Sequence, residues 1–212
     1  MLKAILFDFD GVLVESVDIK TKAFAKLFED EGTEIVDQVV EYHLANGGVS
    51  RFKKFDYIYE NFLEKAINDE IRTDLGNKFS NLVIQNVIDA PWVFGAKDFL
   101  EDYYQKIDLY IVSGTPEDEL IDIVDRKCIN KYFKGTYGSP ETKGNLIKCI
   151  LEDRGYTKDQ VVFIGDAITD LNGALEADIP FIGRVSAEHN NPFKEYNIAI
   201  ISDLRELPEL LK

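Results

Sequence analysis

Five short runs of the chain, 2–9, 108–114, 160–166, 179–184 and 197–202, are dense in Ile, Val, Leu and Phe without regular polar alternation. Continuous apolar runs of that length predict strands of a parallel sheet covered on both faces. Between them, 117–130, 143–155 and 170–178 carry apolar residues at helical spacing, as Leu146, Ile147, Ile150 and Leu151 do. Strand and helix in repetition predict an open, doubly wound α/β sheet.

The stretch from Val17 to about Ala90 breaks this rhythm, because its apolar residues recur only at helical spacing. Ile19, Ala23, Phe24, Leu27 and Phe28 stripe one helix that Gly32 stops. Phe52, Phe55, Tyr59 and Phe62 stripe a second, with Ser50 placed to cap its start; Ile71, Leu75, Phe79, Leu82 and Val83 stripe a third, and Pro91 ends the region. A βαβ crossover needs far fewer residues than these roughly 70. The expected organisation is a sheet domain from 1–15 and 88–212 with a helical insert, 16–87, directly after the first strand.

Charge narrows the partners. The 212 residues carry 24 basic and 39 acidic side chains, a net charge of −15, which argues against a nucleic-acid surface or an anionic membrane face. No run of about 18 apolar residues offers a membrane span, and the first apolar run is short and ends in acid, unlike a signal peptide. The expectation is a cytoplasmic protein, monomeric or weakly dimeric. Cys128 and Cys149 lack metal-like spacing and fall among apolar helix positions, so buried free thiols are expected.

Two acids stand where a buried strand should avoid them. Asp8 and Asp10 close the first apolar run, Ser113 and Asp166 close the second and third, and Lys143 opens the helix before the third. Open α/β sheets bind ligands at the carboxyl ends of their strands, so these residues converge on one edge. Clustered carboxylates need a cation, and their oxygens suit Mg²⁺. A hydroxyl and an ammonium beside them suit the remaining oxygens of a phosphoryl group.

These residues carry a resemblance. "DFDGVLVES" (8–16) resembles the first motif, D-x-D-G-[TV], of the haloacid dehalogenase superfamily of hydrolases. "IVSGT" (111–115) resembles its second motif, Lys143 its third-motif lysine, and "FIGDAITD" (163–170) its G-D-x-x-x-D fourth motif. The insert lies where the α-helical C1 cap of the group containing phosphoglycolate phosphatases and β-phosphoglucomutase-like proteins lies. The resemblance implies a Rossmann-like core and Asp8 as a nucleophile that forms an aspartyl-phosphate. Asp10 would be the general acid and then the base. It implies Mg²⁺ held by Asp8, Asp10 (through its backbone carbonyl) and Asp166, with Asp170 in support, and a phosphoryl group held by Ser113, Gly114 and Lys143. The implied activity is a phosphatase acting on a small phosphorylated metabolite.

Other readings stay open. "D-x-D-G" also begins an EF-hand loop, but the required ligand at Val12, glycine at Leu13 and glutamate at Ile19 are missing. Asp10 argues against the dehalogenases and phosphonate-cleaving members. A phosphomutase on the same scaffold would carry a histidine near Lys20, whose long stem fixes no geometry. A silent regulatory protein would be free to lose the polar set that is present. In "NGGVSRFKK" (46–54) the Gly-Gly turn offers backbone donors, and Arg51 and Lys54 offer charge to a substrate; a solvated basic helix end is the competing reading. His43, His189 and Trp92 are expected to pack rather than bind.

Overall fold

A computed structural model describes residues 1–187 and 190–211; His189 lies outside them. Six parallel strands form one sheet in the order β3-β2-β1-β4-β5-β6. They are β1 (Ala4–Phe7), β2 (Asp108–Pro116), β3 (Gly135–Ser139), β4 (Val161–Gly165), β5 (Phe181–Arg184) and β6 (Ala199–Ile201). β1 is central, with Ala4 opposite both Asp108 and Val161, and Phe7 opposite both Ile111 and Ile164.

The side-chain period of two sends alternate residues of β1 into different cores. Ile5 and Phe7 join one large cluster with Phe24, Phe55, Phe79, Phe99 and Leu120. Ala4 and Leu6 join a smaller one with Leu146, Ile147, Ile150 and Ala174. All four β1 residues are fully buried, so the run is apolar throughout rather than alternating.

Helices α1 (Val17–Leu27), α2 (Thr33–Ala45), α3 (Arg51–Asn61) and α4 (Asp69–Asp89) follow β1, and α5 (Ala96–Tyr103) leads into β2. Beyond β2 come α6 (Glu117–Arg126), α7 (Lys143–Arg154), α8 (Ile168–Ala177) and the short α9 (Leu207–Leu210). Trp92 packs against the larger core, with the Lys127 ammonium 5.2 Å from its ring centre.

The structure corrects several expectations. β3, an edge strand reading Gly-Thr-Tyr-Gly-Ser, has too little apolar side chain to stand out, so the sheet has six strands rather than five. α2 and α5 were also not expected; in α2 only Val39 and His43 are buried, too few for a legible stripe. Ser50 precedes α3 but its side chain makes no capping bond, whereas Asn68 Oδ1 does cap α4, accepting from the Ile71 N–H at 2.8 Å. Both cysteines are exposed, Cys128 because α6 has already ended and Cys149 because it faces outward on α7. Among the described residues no helix is long and apolar enough to cross a membrane.

Candidate active site

Parallel pairing brings the carboxyl ends of β1, β2 and β4 side by side; Asp8 and Asp166 stand just beyond β1 and β4, whereas Ser113 lies inside β2, which runs on to Pro116. Asp8 is buried; its N–H donates to the Ile164 carbonyl at 2.9 Å, which keeps it in register with β4. Its Oδ2 lies 2.9 Å from Lys143 Nζ, and the same ammonium pairs with Asp170. Burial pushes the Asp8 carboxyl up to about 6; the Lys143 charge opposes this, and the charges of Asp170 and Asp10 add to it. Asp166 is raised well above its ordinary value, first by burial and then by Asp8 and Asp170. Lys143, also buried, is raised because its two carboxylate partners outweigh its own desolvation.

Asp170 has a structural task as well. Its Oδ2 accepts from the N–H groups of Asp166 and Ala167, at 3.1 and 2.9 Å, shaping the turn from β4 into α8. Asp10 stands apart. Its Oδ1 accepts from Ser16 Oγ at 2.6 Å, and its Oδ2 from Lys20 Nζ at 2.5 Å and Thr115 Oγ1 at 3.1 Å. Burial raises its pKa, but the Lys20 charge and these donors together hold it below the usual carboxylate value.

Asp8, Asp166 and Asp170 each place an oxygen within 4.8 Å of the others. Three clustered carboxylates, two of them paired with one ammonium and two raised by burial and mutual repulsion, are a donor set that suits a hard cation such as Mg²⁺. The Asp10 carboxylate lies outside that group and is already committed to Ser16, Lys20 and Thr115. Gly11 makes room for the arrangement: it adopts φ +75°, and a Cβ there would stand 2.1 Å from Asp166 Oδ2.

Helices α1 to α4 close over this edge. A cavity of about 470 Å³ is lined by Asp8, Asp10, Ser113, Gly114 and Asp166 from the sheet side, and by Lys20, Phe24, His43, Arg51 and Lys54 from the helices. Thr169 Oγ1 donates to the Gly47 carbonyl at 2.8 Å. A Cβ on Gly114 would meet the Gly48 carbonyl at 2.3 Å, so glycine there lets the α2–α3 turn seat directly on the end of β2.

A model of the haloacid dehalogenase-like hydrolases matches residues 5–184. The chain belongs to that family. Its curated relatives include a phosphoglycolate phosphatase of Aliivibrio fischeri, 24% identical, over 95% of this chain and 92% of that protein. Another is a phosphorylated carbohydrates phosphatase of Thermotoga maritima, 23% identical, over 84% of this chain and 82% of that one. A haloacid dehalogenase-like hydrolase from Streptococcus pneumoniae superposes with TM-score 0.74 at 20% identity, covering 100% of this chain and 99% of that one. The protein is thus an enzyme of a hydrolase family with a known fold.

The hydrolase brings Asp8, Asp10, Ser113, Gly114 and Asp166 to one cavity, with Lys143 and Asp170 bonded into the same acid cluster. Lys143 is no solvated helix-face residue, and Lys20 is not loosely held, since Asp10 and Thr115 (2.8 Å) anchor its ammonium. Three participants were not anticipated. Thr115 stands two residues beyond Ser113, inside the quoted "IVSGT". Arg184 closes an expected strand, where strand-end polarity could have flagged it; it donates to the Gly11 carbonyl at 3.0 Å and pairs with Glu15 at 2.6 Å. His43 is packed as expected, tilted on Phe24 at 4.5 Å, but it also lines the cavity.

The two candidate substrate cations of the insert differ. Arg51 is buried and its guanidinium is taken: it pairs with Glu119 of α6, donates to Ser80 Oγ at 2.9 Å and lies 4.5 Å over the Phe79 ring. The structure therefore ties it between α3 and α6 while it also lines the cavity. Arg51→Ala should lower stability by about 3–5 kcal/mol, because it strands Glu119 as a buried charge. Urea unfolding checks this, and adding Glu119→Ala should restore part of the loss. An Arg51→Ala variant as stable as the parent would show the pair to be idle.

Proposed function

We propose that the protein is a Mg²⁺-dependent phosphatase that hydrolyses a small phosphomonoester through an aspartyl-phosphate on Asp8, with residues 16–87 acting as its cap. The observation that carries this reading is the pairing of buried Asp8 with Lys143 at one end of a cavity in which a second acid, Asp10, is separately oriented by three donors.

In the first step an Asp8 oxygen attacks phosphorus and the ester P–O bond breaks. The leaving oxygen takes a proton from Asp10, whose pKa, low in the unliganded protein, the negative charge of the incoming phosphate raises so that it enters the step protonated. Ser113 Oγ, the Gly114 backbone and Lys143 Nζ hold the transferring phosphoryl oxygens. In the second step Asp10 accepts a proton from a water as that water attacks phosphorus, and the acyl phosphate bond breaks to restore Asp8. Asp8, Asp166 and the Asp10 carbonyl would hold Mg²⁺, with Asp170 in support; when bound, it offsets the negative charge gathered by the carboxylates and the phosphoryl group. Two exposed free thiols suit a reducing cytoplasm.

A phosphomutase is the second reading, and one observation favours it: Lys20, where similar mutases carry a histidine, is held on Asp10 and Thr115 rather than swinging free. Such a clamp could keep Asp10 from activating water until a sugar has turned over. Turnover of sugar phosphates in ¹⁸O-labelled water separates the two. Label in released phosphate at the rate of substrate loss is the expected result. Isomerised sugar phosphate with negligible phosphate release would overturn it.

A further inference from the structure

The cations around the cavity are not equivalent. Lys20 pairs with Asp10, Lys143 with Asp8 and Asp170, Arg51 with Glu119, and Arg184 with Glu15. Lys54 is the exception: among the described residues it has no carboxylate within ion-pair range, although only 2% of it is exposed. Its Nζ reaches His43 twice, at 2.9 Å to Nδ1 and 3.2 Å to the carbonyl oxygen, and stands 5.5 Å from the Phe24 ring centre. An ammonium carries three N–H donors. Two have acceptors on His43, and the third has none among the described residues.

A buried cation with only neutral company is costly until an anion reaches it. The cost is visible at both partners. Burial, followed by the Lys20 charge, pushes Lys54 down to about 7, and burial, followed by the Lys54 charge, pushes His43 down to about 3. His43 is therefore neutral, and its acceptor atoms aim the amine rather than neutralise it. Phe24 and Phe79, also lining the cavity, are apolar surfaces against which a short carbon chain would lie.

We infer that Lys54, aimed by His43, is a second anion subsite, and that the substrate is a short phosphomonoester whose alcohol portion carries another negative group, a carboxylate or a second phosphate. The inference rests on the phosphatase reading for which end of the cavity takes the transferred phosphoryl group. Lys54 is then a specificity residue that acts by binding, while the chemistry stays with Asp8 and Asp10.

The test compares three esters on the Mg²⁺-loaded full chain: phosphoglycolate, its neutral carboxamide and ethylene glycol bisphosphate. The wild type should prefer the acid over the amide by roughly ten- to a hundredfold in kcat/KM, the worth of one hydrogen bond between charged partners. The difference should lie mainly in KM. Lys54→Met should bring that ratio close to one and Lys54→Arg should keep most of it. A bisphosphate bound better than the acid would assign the second group as phosphate. A wild-type ratio of one overturns the inference without any variant, and so does a preference that survives Lys54→Met. Titration calorimetry with the same esters separates this inference from the phosphatase reading. If no ester, p-nitrophenyl phosphate included, releases phosphate, acid binding at least tenfold tighter than amide binding and lost in Lys54→Met still supports the subsite, and equal binding refutes it.

Discussion

Asp8→Asn folds and releases phosphate at no more than about a thousandth of the parent rate, because an amide oxygen cannot replace the attacking carboxylate. The same variant should be the more stable protein when divalent ions are chelated. Asp8, Asp166 and Asp170 crowd their oxygens within 4.8 Å of one another with an ammonium bonded to only two of them, and removing one charge relieves that repulsion while Lys143 keeps its bond to Asp170. Thermal melting in EDTA should therefore show a midpoint a few degrees above the parent's, a common result where a catalytic site is replaced by something inert. Parent-like turnover by the folded, undeamidated variant would remove Asp8 as the nucleophile. A lower midpoint in EDTA would mean that the Asp8–Lys143 bond, at 2.9 Å, outweighs the crowding.

Stripping divalent ions from the parent protein should lower its turnover on the order of a hundredfold or more, with full return on adding Mg²⁺. Ca²⁺ should occupy the carboxylates without restoring activity. It takes more oxygen ligands at longer distances, a demand that would draw the Asp8 carboxylate out of line for attack. Melting adds a readout free of catalysis, since any ion that binds only the folded chain raises its midpoint with concentration. Undiminished phosphate release in EDTA, with elemental analysis finding no bound divalent ion, would mean that the acid cluster serves another purpose.

How legible these parts were depended on the range of the physics that places them. β1, β2 and β4 are runs of apolar residues, so their burial and their pairing in one sheet are written locally. The rule that ligands gather at strand ends then put Asp8, Ser113 and Asp166 together without knowledge of any contact. β3 escaped because two of its five residues are glycine, and its place comes from β2 beside it rather than from its own side chains. The same holds for the pairs that close the cavity. Arg51 meets Glu119 across 68 residues and Lys20 meets Thr115 across 95, and no spacing in the chain marks either. Lys54 was visible as a cation near a helix start; that its partner would be the neutral His43 was not.

The proposed nucleophile hangs from the middle of the sheet. Asp8 continues β1, which is bonded on both sides, and its own amide is tied to β4. In most enzymes whose working groups sit on loops, local fraying can silence activity long before the molecule comes apart. Here the Asp8 carboxylate shares the fate of a central, fully buried strand, so its place is lost only when the sheet itself opens. The surrounding loops and helices can then breathe, admit and release ligands, and drift in sequence over evolutionary time, while the Asp8 carboxylate stays in register.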